Sequence, residues 1–151
     1  MPKKKKVIAK TAKSKSAVKE YMEPEISKVI TKIIIQDSTL APKSINNTCA
    51  EIYADIQQNH IQIPHRSIIE IDCGFSIEIQ SGYRLVVKLN NFLTLKGLII
   101  PNSPHVVTEG RVKIIVCNIG REIIPINHGD SIGVITAEPI YDLDLHVSGT
   151  E

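Results

Sequence analysis

The 151 residues predict an all-β domain, a sandwich or barrel of many short strands, and three observations point there. Apolar residues make up 42% of the chain and are rich in Ile and Val, whose branched Cβ suits a pleated surface better than a helix. Eight Gly and eight Pro are spread along the sequence, as turns between strands require. From Val29 onward, short apolar or alternating runs recur about every ten residues, the spacing of a sandwich or barrel.

In order, Val29–Gln36 is an apolar run ended by Asp37-Ser38, and Thr48–Ile56 alternates weakly. Ile61–Pro64 is short and of edge type, because proline has no N–H to give a central ladder. Ile68–Phe75 and Ser76–Ile79 flank Gly74, and Tyr83–Leu89 follows. Asn91–Lys96 has room for one helical turn. Gly97–Ile100, Arg111–Asn118, Ile123–Ile126 and Ser131–Pro139 complete the series. No internal repeat is present.

The net charge of +2 conceals a division of the chain. Residues 1–19 hold eight lysines (Lys3, Lys4, Lys5, Lys6, Lys10, Lys13, Lys15 and Lys19) and no acid. The remainder holds ten basic and sixteen acidic side chains. The arm is low in complexity, built of Lys, Ser and Ala. It has too little apolar surface to offset its own conformational entropy, so it is expected to be disordered unless a partner orders it. Residues 20–29 are a connector, 30–140 the β domain and 141–151 a short tail. No apolar run approaches the roughly 18 residues of a membrane span, and no apolar segment of secretory type follows the basic start. Cys49, Cys73 and Cys117 are widely separated and sit in apolar stretches, so they read as buried free thiols of a reducing, intracellular compartment. His60, His65, His105, His128 and His146 show no ligand spacing, and no metal site is expected. Ser103 and His105 share a proline-bounded turn, and a turn role fits them better than nucleophilic catalysis.

Four phrases carry a resemblance. They are Ile63–Tyr83, Asn102-Ser103-Pro104, Asn118-Ile119-Gly120 and His128–Ile135. In order and interval they resemble the deoxyuridine triphosphatases (dUTPases), with the dCTP deaminases as relatives of the same fold. The resemblance covers residues 30–140. It implies a jelly-roll-like β-barrel of the β-clip kind, assembled as a homotrimer with active sites at subunit interfaces.

The same resemblance implies five short motifs, and here they are altered. The first carries an Asp that positions magnesium; the chain has Thr48–Ala54, with Glu51 at the acidic place and an exposed strand residue as the alternative reading. The second, Pro-Arg-Ser-Gly, aligns with Lys88-Leu89-Asn90-Asn91, so that Leu89 replaces Arg and Asn90 replaces Ser. Lys88, next to Leu89 on a strand, is expected on the opposite face as a solvated charge. After Asn102 and Ser103 the third motif shrinks by three residues to His105–Gly110. The water-activating Asp and the Tyr beneath the sugar have no counterpart, and Glu109 is the one acid left. In the fourth motif Gly129-Asp130 persist, a pair that also makes a plain turn, while Val134 takes the place of a Gln. The glycine-rich closing arm of the fifth is reduced to Ser148-Gly149-Thr150.

Together these changes point to a non-catalytic homotrimer used for binding or assembly, of viral or phage type, without a cofactor. Its Lys-rich arm would attach it to nucleic acid or to an acidic protein or capsid surface; the arm also resembles a nuclear-import sequence. Glu51 and Glu109 would then be vestiges of catalysis. Lys88, Asn90, Asn102, Ser103, Gly129 and Asp130 would be vestiges of nucleotide binding, and Leu89, Asn90, Thr108 and Val134 would close the cleft between subunits. The alternative is a divergent dUTP nucleotidohydrolase that uses Glu51, Glu109, Lys88 and magnesium to release dUMP and pyrophosphate, or a sensor that binds the nucleotide without cleaving it.

Overall fold

A computed structural model describes residues 28–29 and 31–143. The expectations for the lysine arm and for residues 144–151 fall outside the described residues. Eleven strands are present among them: β1 (Thr31–Ile35), β2 (Lys43–Ser44), β3 (Cys49–Tyr53), β4 (His60–Ile63), β5 (Ile68–Ile79), β6 (Tyr83–Leu89), β7 (Leu98–Ile99), β8 (His105–Val107), β9 (Glu109–Asn118), β10 (Ile124–Asn127) and β11 (Ser131–Pro139). One short helix, α1 (Asn91–Leu95), interrupts them, and a single 3-10 turn covers Ser38–Leu40.

The strands form a five-stranded sheet in the order β2-β3-β11-β6-β8, a four-stranded sheet in the order β1-β5-β9-β7, and a β10-β4 pair. All ladders are antiparallel, so each strand can bury one side and leave the other outward. In β9, Val112, Ile114 and Val116 are buried while Lys113 and Ile115 are exposed. Inward residues from the two large sheets, including Ile52, Phe75, Leu85, Val87, Ile114 and Ile132, make one core. No described helix is long and apolar enough to cross a membrane.

Two expected strands are one. Gly74, at φ +79°, lets β5 run from Ile68 to Ile79 through a register shift between Asp72 and Ser76. An added Cβ at Gly74 would meet Leu40 at 2.7 Å, so the site excludes a larger residue twice over. The helical turn is present as α1, capped by Asn90, whose Oδ1 accepts the Leu93 N–H at 2.9 Å. Of the three thiols only Cys73 is buried; burial pushes it up to about 12, which leaves it inert. Cys49 and Cys117 are half-buried, a correction to the sequence reading. Both fall on outward positions, Cys49 two residues from Glu51 and Cys117 opposite Ile68.

Among the described residues one polar side chain is fully enclosed. Asn118 donates from Nδ2 to the carbonyls of Ile63 and Glu122, both at 2.8 Å, and its Oδ1 accepts the Gly120 N–H at 2.9 Å. It ties the end of β9 to β4 and to the loop after β9. Asn118→Leu removes the donors and the acceptor and strands buried backbone groups. The expected loss is about 2–4 kcal/mol, read as a lower urea midpoint at unchanged m-value. An unchanged midpoint would mean that the enclosed amide is not needed to hold this corner.

Candidate functional site

The register of the five-stranded sheet assembles a polar row across four strands. Lys43 of β2 is opposite Glu51 of β3, Glu51 is opposite Val134 of β11, and Val134 is opposite Lys88 of β6. Directly paired residues point to the same side of a sheet, so Lys43, Glu51, Val134 and Lys88 share the outward face. Leu89 pairs with Gly133 and packs against the core from the other side. An added Cβ on Gly133 would meet the Lys88 carbonyl at 2.2 Å, so only glycine lets β6 and β11 approach this closely and hold the row together.

Glu51 is the centre of the row. Its Oε1 accepts the Ser131 hydroxyl at 2.6 Å and its Oε2 accepts the Tyr53 hydroxyl at 2.8 Å. These two donors hold its carboxyl below the usual glutamate range, the Ser131 bond foremost and the Tyr53 bond next, with a smaller contribution from the charge on Lys43. Tyr53 moves the other way, up to about 12, through burial first and then through its bond to the carboxylate. Lys43 Nζ lies 5.1 Å from the centre of the Tyr53 ring. The result is an ionised, oriented carboxylate between two ammonium groups on one surface. A carboxylate with a lowered pKa is a weaker base, and its ionised form can pair with cations or their water ligands.

The other expected site residues divide between structural roles and distance. Asn90 is occupied as the α1 cap and also donates from Nδ2 to the Ser131 carbonyl at 2.7 Å. Gly129-Asp130 make a turn: Gly129 has φ +81°, and Asp130 Oδ2 accepts the Asn127 N–H at 2.8 Å. Asn102 and Ser103 are exposed in the turn before β8, where Ser103 borders a groove with Val87, Leu98 and Ile100. Glu109 opens β9 opposite Glu78. Glu109 thus belongs to the four-stranded sheet, whereas Glu51 belongs to the five-stranded one. Within one protomer Glu51 and Glu109 therefore do not meet. Nor do Leu89, Asn90, Thr108 and Val134 line one gap, because Leu89 and Val134 face opposite sides and Thr108 lies near the Glu109 end. On β6 the cation of the row is Lys88, displaced by one residue from the place where the sequence comparison put the lost Arg.

Sequence reasoning missed Lys43, Tyr53 and Ser131, which lie outside any of the shared phrases' reactive positions. It also missed Arg111, which bridges Asp72 (Nε to Oδ1, 2.9 Å) and Asp55 (Nη2 to Oδ2, 3.1 Å). Next to that pair, His128 Nδ1 accepts the Ile56 N–H at 3.1 Å, joining the 127–130 turn to the segment after β3. Among the described residues no three His, Cys, Asp or Glu side chains are grouped to hold a metal by themselves.

Comparison with solved structures decides the fold. A dUTPase from Streptococcus mutans superposes with a TM-score of 0.64 at 18% identity, covering 76% of this chain and 98% of that one. This is a dUTPase-fold protein. A mutant dUTPase from phage phi11 of S. aureus, described with a structural Mg(II) ion, gives a TM-score of 0.65 at 14% identity and covers 81% of this chain and 98% of its own. No family model matches the sequence. Among curated proteins, the deoxyuridine 5'-triphosphate nucleotidohydrolase of Ehrlichia canis is 27% identical over 120 residues, 74% of this chain and 78% of the relative. That of Desulfotalea psychrophila is 32% identical over 77 residues, 48% of this chain and 51% of the relative. That of Caulobacter vibrioides is 38% identical over 76 residues, 46% of this chain and 49% of the relative. The last two matches span about half the length of the relatives. The dUTPase fold thus carries a row whose acid is Glu and whose cations are Lys43 and Lys88.

The lowered pKa of Glu51 fixes the sign of a pH effect. A depressed carboxylate contributes stability that is present above its unfolded pKa and lost as pH falls through its folded one. Glu51→Gln should therefore melt earlier than the parent at pH 7, and the gap should shrink as pH drops below 4.5. A gap independent of pH would assign the effect to shape rather than charge.

Proposed function

We propose that this chain is a homotrimeric nucleotide-site protein of the dUTPase kind, which takes dUTP as its magnesium complex and releases dUMP and pyrophosphate. The observation that carries the reading is Glu51, ionised and fixed by Ser131 and Tyr53, between Lys43 and Lys88 on one open face. The curated relatives are named for this reaction. Magnesium prefers one or two carboxylates together with substrate phosphates over an all-protein cage, and a single well-placed glutamate fits that demand. When bound, the ion would neutralise phosphate charge; Glu51 would hold it or its water ligands. The chain's own work is to attract the triphosphate with Lys43 and Lys88 and to orient it across β3, β11 and β6.

The trimer rests on surface chemistry. Ile33, Ile34 and Ile35 of the edge strand β1 are 38–45% exposed, and Ile68 and Ile115 stand on the outer face of the four-stranded sheet at 62% and 40%. An unpaired apolar edge and an apolar outer face call for a protein neighbour.

A second reading is supported by the position of Glu109. With that acid remote and Glu51 a weak base, no described carboxylate of the same protomer is placed to activate water, which favours nucleotide binding without turnover, or a scaffold role. Three measurements on the full chain separate the readings. Ultracentrifugation should give three times the 16.7 kDa chain mass. Pyrophosphate release from dUTP with Mg²⁺ should be detectable, slower than the ~1 s⁻¹ lower end of ordinary turnover. Glu51→Gln should reduce it by about 10–100-fold, as loss of a metal-supporting group does. Calorimetric binding of dUTP without any release would establish the binding reading, and neither binding nor release would leave the scaffold reading.

A further inference from the structure

The exposed apolar side chains of the body are not all on the β1 edge and the outer sheet face. Phe92, Leu95, Ile119 and Ile123 are 63%, 87%, 59% and 57% exposed, and they come from two segments, α1 and the loop between β9 and β10. Two glycines let these segments meet at one corner. An added Cβ on Gly97 would stand 2.6 Å from Gly120 Cα, and one on Gly120 would stand 2.4 Å from the Lys96 carbonyl oxygen, so neither position admits a side chain. The Ile119 N–H donates to the Gly97 carbonyl at 2.9 Å. From inside, the enclosed Asn118 amide holds the same loop through Gly120 and Glu122. Leu95, Lys96, Arg121 and Ile123 consequently line one groove. Arg66 belongs to the same corner, since its N–H donates to the Asn118 carbonyl at 2.8 Å.

We propose that this corner docks an acidic segment of a partner protein, one in which apolar side chains are interspersed with carboxylates. Arg66, Lys96 and Arg121 are exposed, and none of them forms an ion pair with a described acid, whereas Lys32, Arg84, Arg111 and Lys113 all do. Lys96 Nζ instead lies 4.2 Å from the centre of the Phe92 ring, a cation resting on apolar surface. Unpaired cations around an exposed apolar groove call for opposite charge carried on an apolar body. The loop is already fixed by its hydrogen bonds, so docking need not order it. Glu122 decides between kinds of partner, because it lines the groove beside Arg121. A nucleic acid or an anionic lipid surface presents uniform negative charge and would meet that carboxylate. A peptide can seat apolar side chains in the groove and direct its acids to the three cations alone. None of these residues belongs to the row of Lys43, Glu51 and Lys88, so the inference stands whether or not that row takes a nucleotide.

The test pans random ~12-residue displayed peptides against the full chain and measures the selected ones by fluorescence anisotropy. Selected sequences should carry more than one Asp or Glu around aromatic or aliphatic residues. Leu95→Ser, at an exposed position where melting should hardly change, should weaken them by about ten-fold or more. Lys96→Glu combined with Arg121→Glu should lose the acidic peptides and select basic ones in their place. Phosphatidylserine vesicles and a DNA duplex should compete poorly. Failure to select any peptide, selected sequences without acids, equal binding to Leu95→Ser, or displacement by vesicles or duplex would overturn the proposal. Self-association of the chain that Leu95→Ser abolishes would overturn it too, by giving the corner to a second copy.

Discussion

The register of β11 between β3 and β6 is the constraint on which the candidate site depends. β11 is bonded on both flanks, to β3 through pairs such as Val134 with Glu51 and to β6 through Val134 with Lys88. A slip of one residue on either side would send Glu51 or Lys88 to the core and bring Ile52 or Leu89 outward. Two features prevent it. Ile52 and Ile135 are committed to the core, and Gly133 meets the Lys88 carbonyl so closely that no other residue fits there. The carboxylate and its cations are thus fixed by packing on the opposite side of the same sheet, and fold and site are one arrangement seen from two faces.

Glu51 shows how a longer acid can occupy a strand without becoming a free surface charge. Each of its oxygens accepts one hydroxyl, from Ser131 on β11 and from Tyr53 two residues along its own strand. Those bonds favour the ionised form and make the group a weaker proton acceptor. A protein that retained the binding half of a nucleotide site and lost much of its proton chemistry would have this appearance, since charge complementarity and general base catalysis are carried by different residues. The placement of Glu51 and Glu109 on different sheets has the same meaning. If the two cooperate, they do so across a subunit interface.

Much of the fold was legible in the sequence because its signals are local. The recurring short runs marked β9 and β11, the room for one helical turn at Asn91–Lys96 matched α1, and the shared phrases gave the dUTPase fold. The two-residue β2 and the three-residue β8 were missed, since pairs that short have no period of their own and exist only against β3 and β6. Lys88 was read correctly as facing away from Leu89, yet its significance was not visible, because that depends on Val134 and Glu51 arriving beside it from 46 and 37 residues away. Lys43, Ser131 and the Arg111 bridge to Asp55 and Asp72 were hidden for the same reason. Long-range partners leave no mark in a one-dimensional pattern.

The central claim is that a magnesium–nucleotide complex rests on the outward row of Lys43, Glu51 and Lys88. A crystal structure of the full chain with Mg²⁺ and a non-hydrolysable imido analogue of dUTP tests it most directly. The account predicts triphosphate density across β3, β11 and β6, with the ion or its waters against Glu51 and an ammonium of Lys43 or Lys88 at the phosphates. A well-ordered trimer with that face bare, or covered by protein, at saturating nucleotide would contradict it.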